Sequence, residues 1–141
     1  MDIKDEKIIG ILKENSRQSV REISSKTKIR PSTVHQRIQK MLREGLIEKF
    51  TIKTNDRLLG EDFIVLMLVK GTTSDYIDSK TLHNKHVKEI FGVTGEYDLL
   101  IKLKFKNVGE FHEFVLNFRK NKADITSTLT MVVTANLKEN I

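Results

Sequence analysis

The alternation of apolar and polar residues divides the chain into stretches of helical and of strand period. Over residues 2–14, Ile8, Ile11 and Leu12 share one helical face, which Ile9 widens. Asp5 and Glu6 stand where a helix dipole favours acids, so a first helix is predicted there, ended by Asn15-Ser16. Ser19 followed by Glu22 is a capping-box pattern for a short second helix over 20–26, with Val20 and Ile23 inward. Thr27-Lys28 is then a turn and Ile29 an apolar plug. Over 29–44, Val34, Ile38, Met41 and Leu42 stand at i, i+4, i+7 and i+8 and form a stripe that must be buried. Pro31 suits the first turn of that helix, where a missing N–H costs nothing. Two short helices joined by a tight turn, the second polar on its outer side, are the pattern of a helix-turn-helix.

Gly45 is placed to cap the third helix in a left-handed conformation. Leu46, Ile47, Phe50 and Ile52, interleaved with polar residues, predict a strand that forms a small wing or connector. Turn formers at Asn55-Asp56 and a glycine at Gly60 mark a boundary. Beyond it, residues 63–70 are apolar enough for a strand covered on both faces, and 72–85 predict a short helix with Tyr76, Ile77 and Leu82 inward. Two strand-like runs, 87–93 and 97–104, are joined through Thr94-Gly95-Glu96 as a tight hairpin. Asn107 and Glu110 form a second capping box, before a buried stripe of Val108, Phe111, Phe114, Val115 and Phe118. Residues 124–137, rich in Thr and Val, predict the last strand. The fold expected is therefore α+β. A winged helix-turn-helix domain (1–53) is joined by a linker or hinge (54–61) to a ferredoxin-like βαββαβ domain (62–141).

Charge sharpens this division. The formal net charge is +6 over 141 residues. Residues 1–53 carry 13 Lys and Arg against 7 Asp and Glu, whereas 54–141 carry 12 of each, so the whole excess lies in the first part. Between Asn15 and Arg43 the only acid is Glu22. A basic patch on a helix-turn-helix points to a polyanion, and double-stranded DNA is the expected partner. The outer face of the third helix carries Ser32, Thr33, Gln36, Arg37, Gln39, Lys40 and Arg43, which are hydroxyls, amides and cations suited to base edges and phosphates. His35 on the same helix is expected to reach a phosphate or a base edge and to make binding mildly pH-dependent.

Other chemistry finds little support. The chain has no cysteine, which excludes disulfides and cysteine-ligated zinc. His83 and His86 have the spacing of a metal pair but no third ligand, and Phe111, Phe114 and Phe118 read as core rather than as a stacking platform. No nucleophile elbow, P-loop or carboxylate pair is present, so neither catalytic residue nor cofactor nor metal is expected. The longest apolar run, 63–69, is far shorter than the roughly 20 residues that span a bilayer. With no signal-peptide pattern at its start, the protein is expected to be cytoplasmic, without a membrane partner.

The chain resembles the Lrp/AsnC family, the feast/famine regulatory proteins. The resemblance rests on DEKIIGIL (5–12), PSTVHQRI (31–38), Glu44-Gly45-Leu46-Ile47 with Phe50-Thr51, Leu59-Gly60, and above all VTGEYDLLIKL (93–103). It implies a transcriptional regulator that binds DNA as a homodimer or a higher oligomer and senses an amino acid through its second domain. Carried over, Ser32, Thr33, His35, Gln36 and Arg37 enter the major groove, and Lys40 lies nearer the backbone. Gly95, Glu96, Tyr97 and Asp98 line an effector pocket between subunits. A glycine turn offers N–H groups to a carboxylate, and Asp98 accepts from an ammonium. Thr128 and Thr130, alternating on the last strand, complete the pocket. One departure is Arg30, where the family often has a capping serine; it gives up a cap worth about 1 kcal/mol and adds a phosphate contact. Two alternatives differ in kind. A DNA-compacting architectural protein would share the helix but lack sequence preference. A siroheme decarboxylase, similar in architecture, calls for substrate-gripping arginines in the second domain, which offers only Arg57 and Arg119, neither in the 93–103 motif.

Overall fold

The computed structural model describes residues 1–71, 77–120 and 125–140, and these form two compact units, Met1–Lys53 and Thr54–Glu139. The first is three helices: α1 (Ile3–Glu14), α2 (Val20–Thr27) and α3 (Pro31–Arg43). Both predicted starts carry reciprocal caps, Asp2 with Asp5 on α1 and Ser19 with Glu22 on α2. The chain turns from α2 into α3 through Lys28, held in the left-handed region at φ 63°. The Thr27 hydroxyl fixes that turn, donating to the Ile23 carbonyl and accepting from the Ile29 amide at 2.8 and 3.2 Å. Ile8, Ile23, Ile29, Val34, Ile38 and Met41 form the core of the unit, and Leu42 packs against its edge. Each such side chain contributes about 1.5–3 kcal/mol by leaving water.

Gly45 follows α3 at φ 77°, as its position predicts, and its amide donates to the Leu42 carbonyl at 3.2 Å. The wing strand expected after it is not formed. Residues 48–55 have no strand pairing, and Phe50 and Ile52 are exposed, because alternation alone supplies no partner for the backbone. The Ser16 hydroxyl donates to the Thr51 carbonyl at 3.0 Å and anchors this connector to the turn after α1. Where a linker is expected, the chain forms a single helical turn, α4 (Asp56–Leu59), capped by Asn55 and ended by Gly60.

The second unit is a four-stranded antiparallel sheet in the order β2-β3-β1-β4. Its strands are β1 (Phe63–Gly71), β2 (Val87–Gly92), β3 (Leu99–Phe105) and β4 (Ile125–Val132). A one-turn helix, α5 (Ser79–Leu82), precedes β2, and α6 (Val108–Lys120) lies between β3 and β4. The element order βαββαβ and this strand order are those of a ferredoxin-like fold. Directly opposed residues share a face in an antiparallel ladder, so the register sorts the two sides. Val65, Met67, Val69, Ile101 and Leu103 point to the helix side, where Phe105, Phe114 and Phe118 complete a fully apolar core. Leu66, Leu68 and Leu100 point to the other side, joined in register by Leu129, Met131 and Phe91.

Three local expectations fail. Leu82 is exposed rather than inward, because α5 is only one turn long, though Ile77 does pack on the core. Tyr76 lies outside the described residues. Val108, in the first turn of α6, is also exposed. The last strand stops at Val132, so Leu137 is left in solvent.

Candidate DNA-reading helix and effector loop

The buried stripe of α3 decides what the helix presents. With Val34, Ile38 and Met41 inward, the geometry of 3.6 residues per turn turns Ser32, Gln36, Gln39, Lys40 and Arg43 outward, and all five are exposed. His35 is also exposed, and Thr33 is half-buried. Lys40 lies 3.9 Å from Glu44, a loose surface pair that leaves its ammonium available. Arg30 is the N-cap of α3 and makes no side-chain cap bond, so the start of the helix keeps its N–H groups for another acceptor.

Arg37, expected to enter a groove, makes hydrogen bonds within the unit. Its Nη1 donates to both carboxylate oxygens of Asp2, at 2.8 and 2.7 Å, and to Asp5 Oδ1 at 3.0 Å. The Arg37 hydrogen bond is the main cause holding the Asp2 carboxyl down at about 2, and the two acids in turn raise the guanidinium pKa. In the sequence Asp5 is legible only as an acid suited to the helix dipole and Asp2 only as the start of the helix; nothing local pairs either with a side chain more than thirty positions away.

In the second unit, residues 93–98 form a six-residue connection between β2 and β3, longer than the tight hairpin expected. Gly95 adopts φ 113°, which a side chain would strain, and the loop is closed by Val93 N–H on the Asp98 carbonyl at 2.9 Å. Gly95, Glu96 and Asp98 are exposed and Tyr97 is half-buried. Asp98 is fastened to β1: its amide donates to the Val69 carbonyl at 2.8 Å and its Oδ2 accepts from the Gly71 amide at 2.9 Å. Thr128 and Thr130 lie on the far side of β1, in register with Val69 and Met67. Thr128 Oγ1 accepts from Arg119 Nη2 at 2.7 Å, beside a half-open cavity of about 430 Å³ lined by Arg119, Ile125, Thr126, Ser127 and Thr128. Within one chain, the loop and the two threonines are therefore separated by a strand.

A cluster that the sequence does not announce occupies the open side of the sheet. Lys104, almost wholly buried, donates to Asp56 at 3.0 Å and to Glu139 at 3.1 Å, while Lys102 donates to Glu139 at 2.6 Å and pairs with Glu89 at 3.0 Å. Burial works against the charge on both lysines, but these carboxylates outweigh it and raise their pKa values. The Lys102 hydrogen bond, with Lys104 adding to it, lowers the Glu139 carboxyl to about 2 against its own desolvation. Among the described residues no group of His, Cys, Asp and Glu is placed to hold a metal, and no helix is long and apolar enough to cross a membrane.

A three-helix unit with a polar reading helix, followed by a ferredoxin-like sheet, defines a two-unit DNA-binding regulator. The chain belongs to the Lrp/AsnC family: residues 1–48 match winged helix-turn-helix DNA-binding domains, and residues 63–141 match the Lrp/AsnC ligand binding domain. Among curated relatives, the HTH-type transcriptional regulator FL11 of Pyrococcus furiosus is 33% identical over 135 residues, covering 94% of this chain and 89% of its own. Among solved structures, AsnC of E. coli superposes with a TM-score of 0.88 at 25% identity, covering 100% of this chain and 97% of its own. A Neisseria meningitidis transcriptional regulator, solved as its L-Met complex, gives 0.91 at 21% identity, covering 99% and 94%. The chain is thus a helix-turn-helix transcriptional regulator with a ligand-binding domain, and its relatives are regulators rather than enzymes.

Proposed function

We propose that the protein is a sequence-specific regulator whose DNA affinity is set by a small molecule of the amino-acid class, acting as a homodimer or a larger closed assembly in the cytoplasm. The observation that carries the DNA half is the exposed row of Ser32, Gln36, Gln39, Lys40 and Arg43 above the buried stripe of α3, with Arg30 at the helix start. Amides and hydroxyls read base edges, and cations grip the flanking phosphates. Residues 1–53 serve this task. A two-fold dimer would place two such helices in successive major grooves, about 10 base pairs apart or a multiple of that, on a pseudo-palindromic site.

Sensing is assigned to 62–141, with 54–61 connecting the two parts. The exposed amides of the Gly95 loop suit a carboxylate, and a structural relative holding L-Met supports the ligand class. Since β1 separates that loop from Thr128 and Thr130 within one chain, a pocket using both sets would draw them from different subunits. The open side of the sheet, with Leu66, Leu68, Leu100, Phe91, Leu129 and Met131, offers the apolar surface for pairing with a second copy.

The deciding experiment is recovery of genomic fragments by the purified protein, sequenced with and without a mixture of free amino acids at one fixed salt concentration. Enrichment of a palindromic motif that shifts with the mixture is the expected result. Uniform recovery of all fragments would instead identify an architectural DNA binder, and no retention at low salt would overturn the DNA-reading assignment of α3.

A further inference from the structure

We propose that Arg37 is a positioning residue, a strut from α3 to the cap of α1, and that Asp2 and Asp5 thereby set the orientation of the reading helix. The inference rests on the DNA-binding role given to α3 above. Three observations carry it. Nη1 of Arg37 has two hydrogens and faces three carboxylate oxygens within 3.0 Å, so both N–H groups of that nitrogen are used inside the unit and fix the direction of the guanidinium. Arg37 follows Val34 by three residues and precedes Met41 by four, at the margin of the buried stripe; the outward Gln36 lies about 100° round the helix from it. Its side chain is 26% exposed and that of Asp5 15%, whereas Lys40 is 64% exposed.

The two acids are themselves locked. Asp2 caps the Asp5 amide at 3.0 Å, and Asp5 Oδ2 accepts from the Asp2 amide at 3.1 Å. The capping box thus holds both carboxylates in place for the guanidinium, and α1 and α3 are joined at that point by charge-assisted hydrogen bonds in addition to the core. Swinging the Arg37 guanidinium out to a phosphate would break these bonds and leave two carboxylates unneutralised beside a polyanion. Lys40, Arg43 and Arg30 carry no such cost. Positive charge in the reading face is therefore supplied by those three, and Arg37 supplies angle.

The test measures binding to the duplex enriched in the fragment experiment and to a scrambled duplex of the same length over a series of KCl concentrations. Each phosphate neutralised contributes about 0.9 to the slope of log affinity against log salt, so Lys40→Gln lowers the slope by about that amount. Arg37→Gln is expected to leave the slope unchanged and to reduce the specificity ratio roughly tenfold, because misaligned side chains lose base contacts. The Asp2→Asn, Asp5→Asn double variant is expected to do the same, and combining it with Arg37→Gln to add nothing further. The exchange of Arg37→Asp with Asp5→Arg, with helix content checked by circular dichroism, is expected to recover part of the ratio and separates lost angle from lost folding.

A slope lowered by about 0.9 in Arg37→Gln would make Arg37 a phosphate contact and overturn the proposal. So would tighter binding with a steeper slope in the Asp variants, which would mean that a released Arg37 moves to DNA, or an unchanged ratio in both. Failure of the unaltered protein to prefer any duplex would remove the DNA-reading role itself, and the strut with it.

Discussion

Asp98 Oδ2 accepts from the Gly71 amide at 2.9 Å, so the loop that follows β2 is sewn to the end of β1 by a side chain as well as by the backbone. Asp98→Ala removes this bond while the Asp98 amide remains on Val69. It is expected to cost the second unit about 1 kcal/mol in urea unfolding, as an exposed hydrogen bond does. DNA affinity without amino acids should be unchanged, and the response to them should vanish. Equal loss of DNA binding with and without amino acids would contradict the separation of the two tasks.

The α3 cap offers a gain-of-stability test. Arg30 makes no side-chain cap bond, and a serine there accepts from a free N–H of the first turn. Arg30→Ser is expected to stabilise the first unit by about 1 kcal/mol in thermal or urea unfolding. The same change should lower the salt slope of DNA binding by about 0.9 through loss of one phosphate contact. Stability and affinity move in opposite directions.

Leu129 pairs in register with Leu68 on the open side of the sheet and is 43% exposed in the single chain. Leu129→Lys places a charge in that surface. Sedimentation equilibrium is expected to show a dimer or larger assembly for the unaltered protein and a folded monomer for the variant, with weaker binding to the enriched duplex. A monomer in both would show that another surface, or none, joins the subunits.

Acid sensitivity follows from Glu139. Its carboxyl is lowered from 4.5 to about 2 by the Lys102 hydrogen bond first, with Lys104 contributing. A depressed carboxylate contributes stability above its unfolded pKa and loses it as pH falls through the folded value. The difference in urea midpoint between the unaltered protein and Glu139→Gln is thus expected to be full above about pH 4.5 and to close as pH approaches 2. A difference independent of pH would show that Glu139 acts through packing alone.

The features legible in the sequence were those written over short distances. The capping box of Ser19 with Glu22, the Asn107 cap on the Glu110 amide (whose carboxylate accepts from the Lys106 amide rather than closing the box), the stripe of α3 and the βαββαβ order all depend on residues a few positions apart. Leu82 and Val108 show where periodicity overreaches: each has the right spacing, yet one stands on a single turn and the other at a helix start, where nothing covers it. Arg37 with Asp2, and Lys104 with Asp56 and Glu139, pair residues more than thirty positions apart, so only the folded chain reveals them. Arg119 and Thr128 are only nine positions apart, but one stands near the end of α6 and the other on β4, so no single period pairs them.

Lys104 receives Asp56 from the segment that leads into the sheet and Glu139 from the segment that leaves it. The two strings of this purse are therefore tied with one knot. The buried Lys104 ammonium thus joins the segment that enters the sheet to the one that leaves it, and Lys102 gives Glu139 a second hold on the same face.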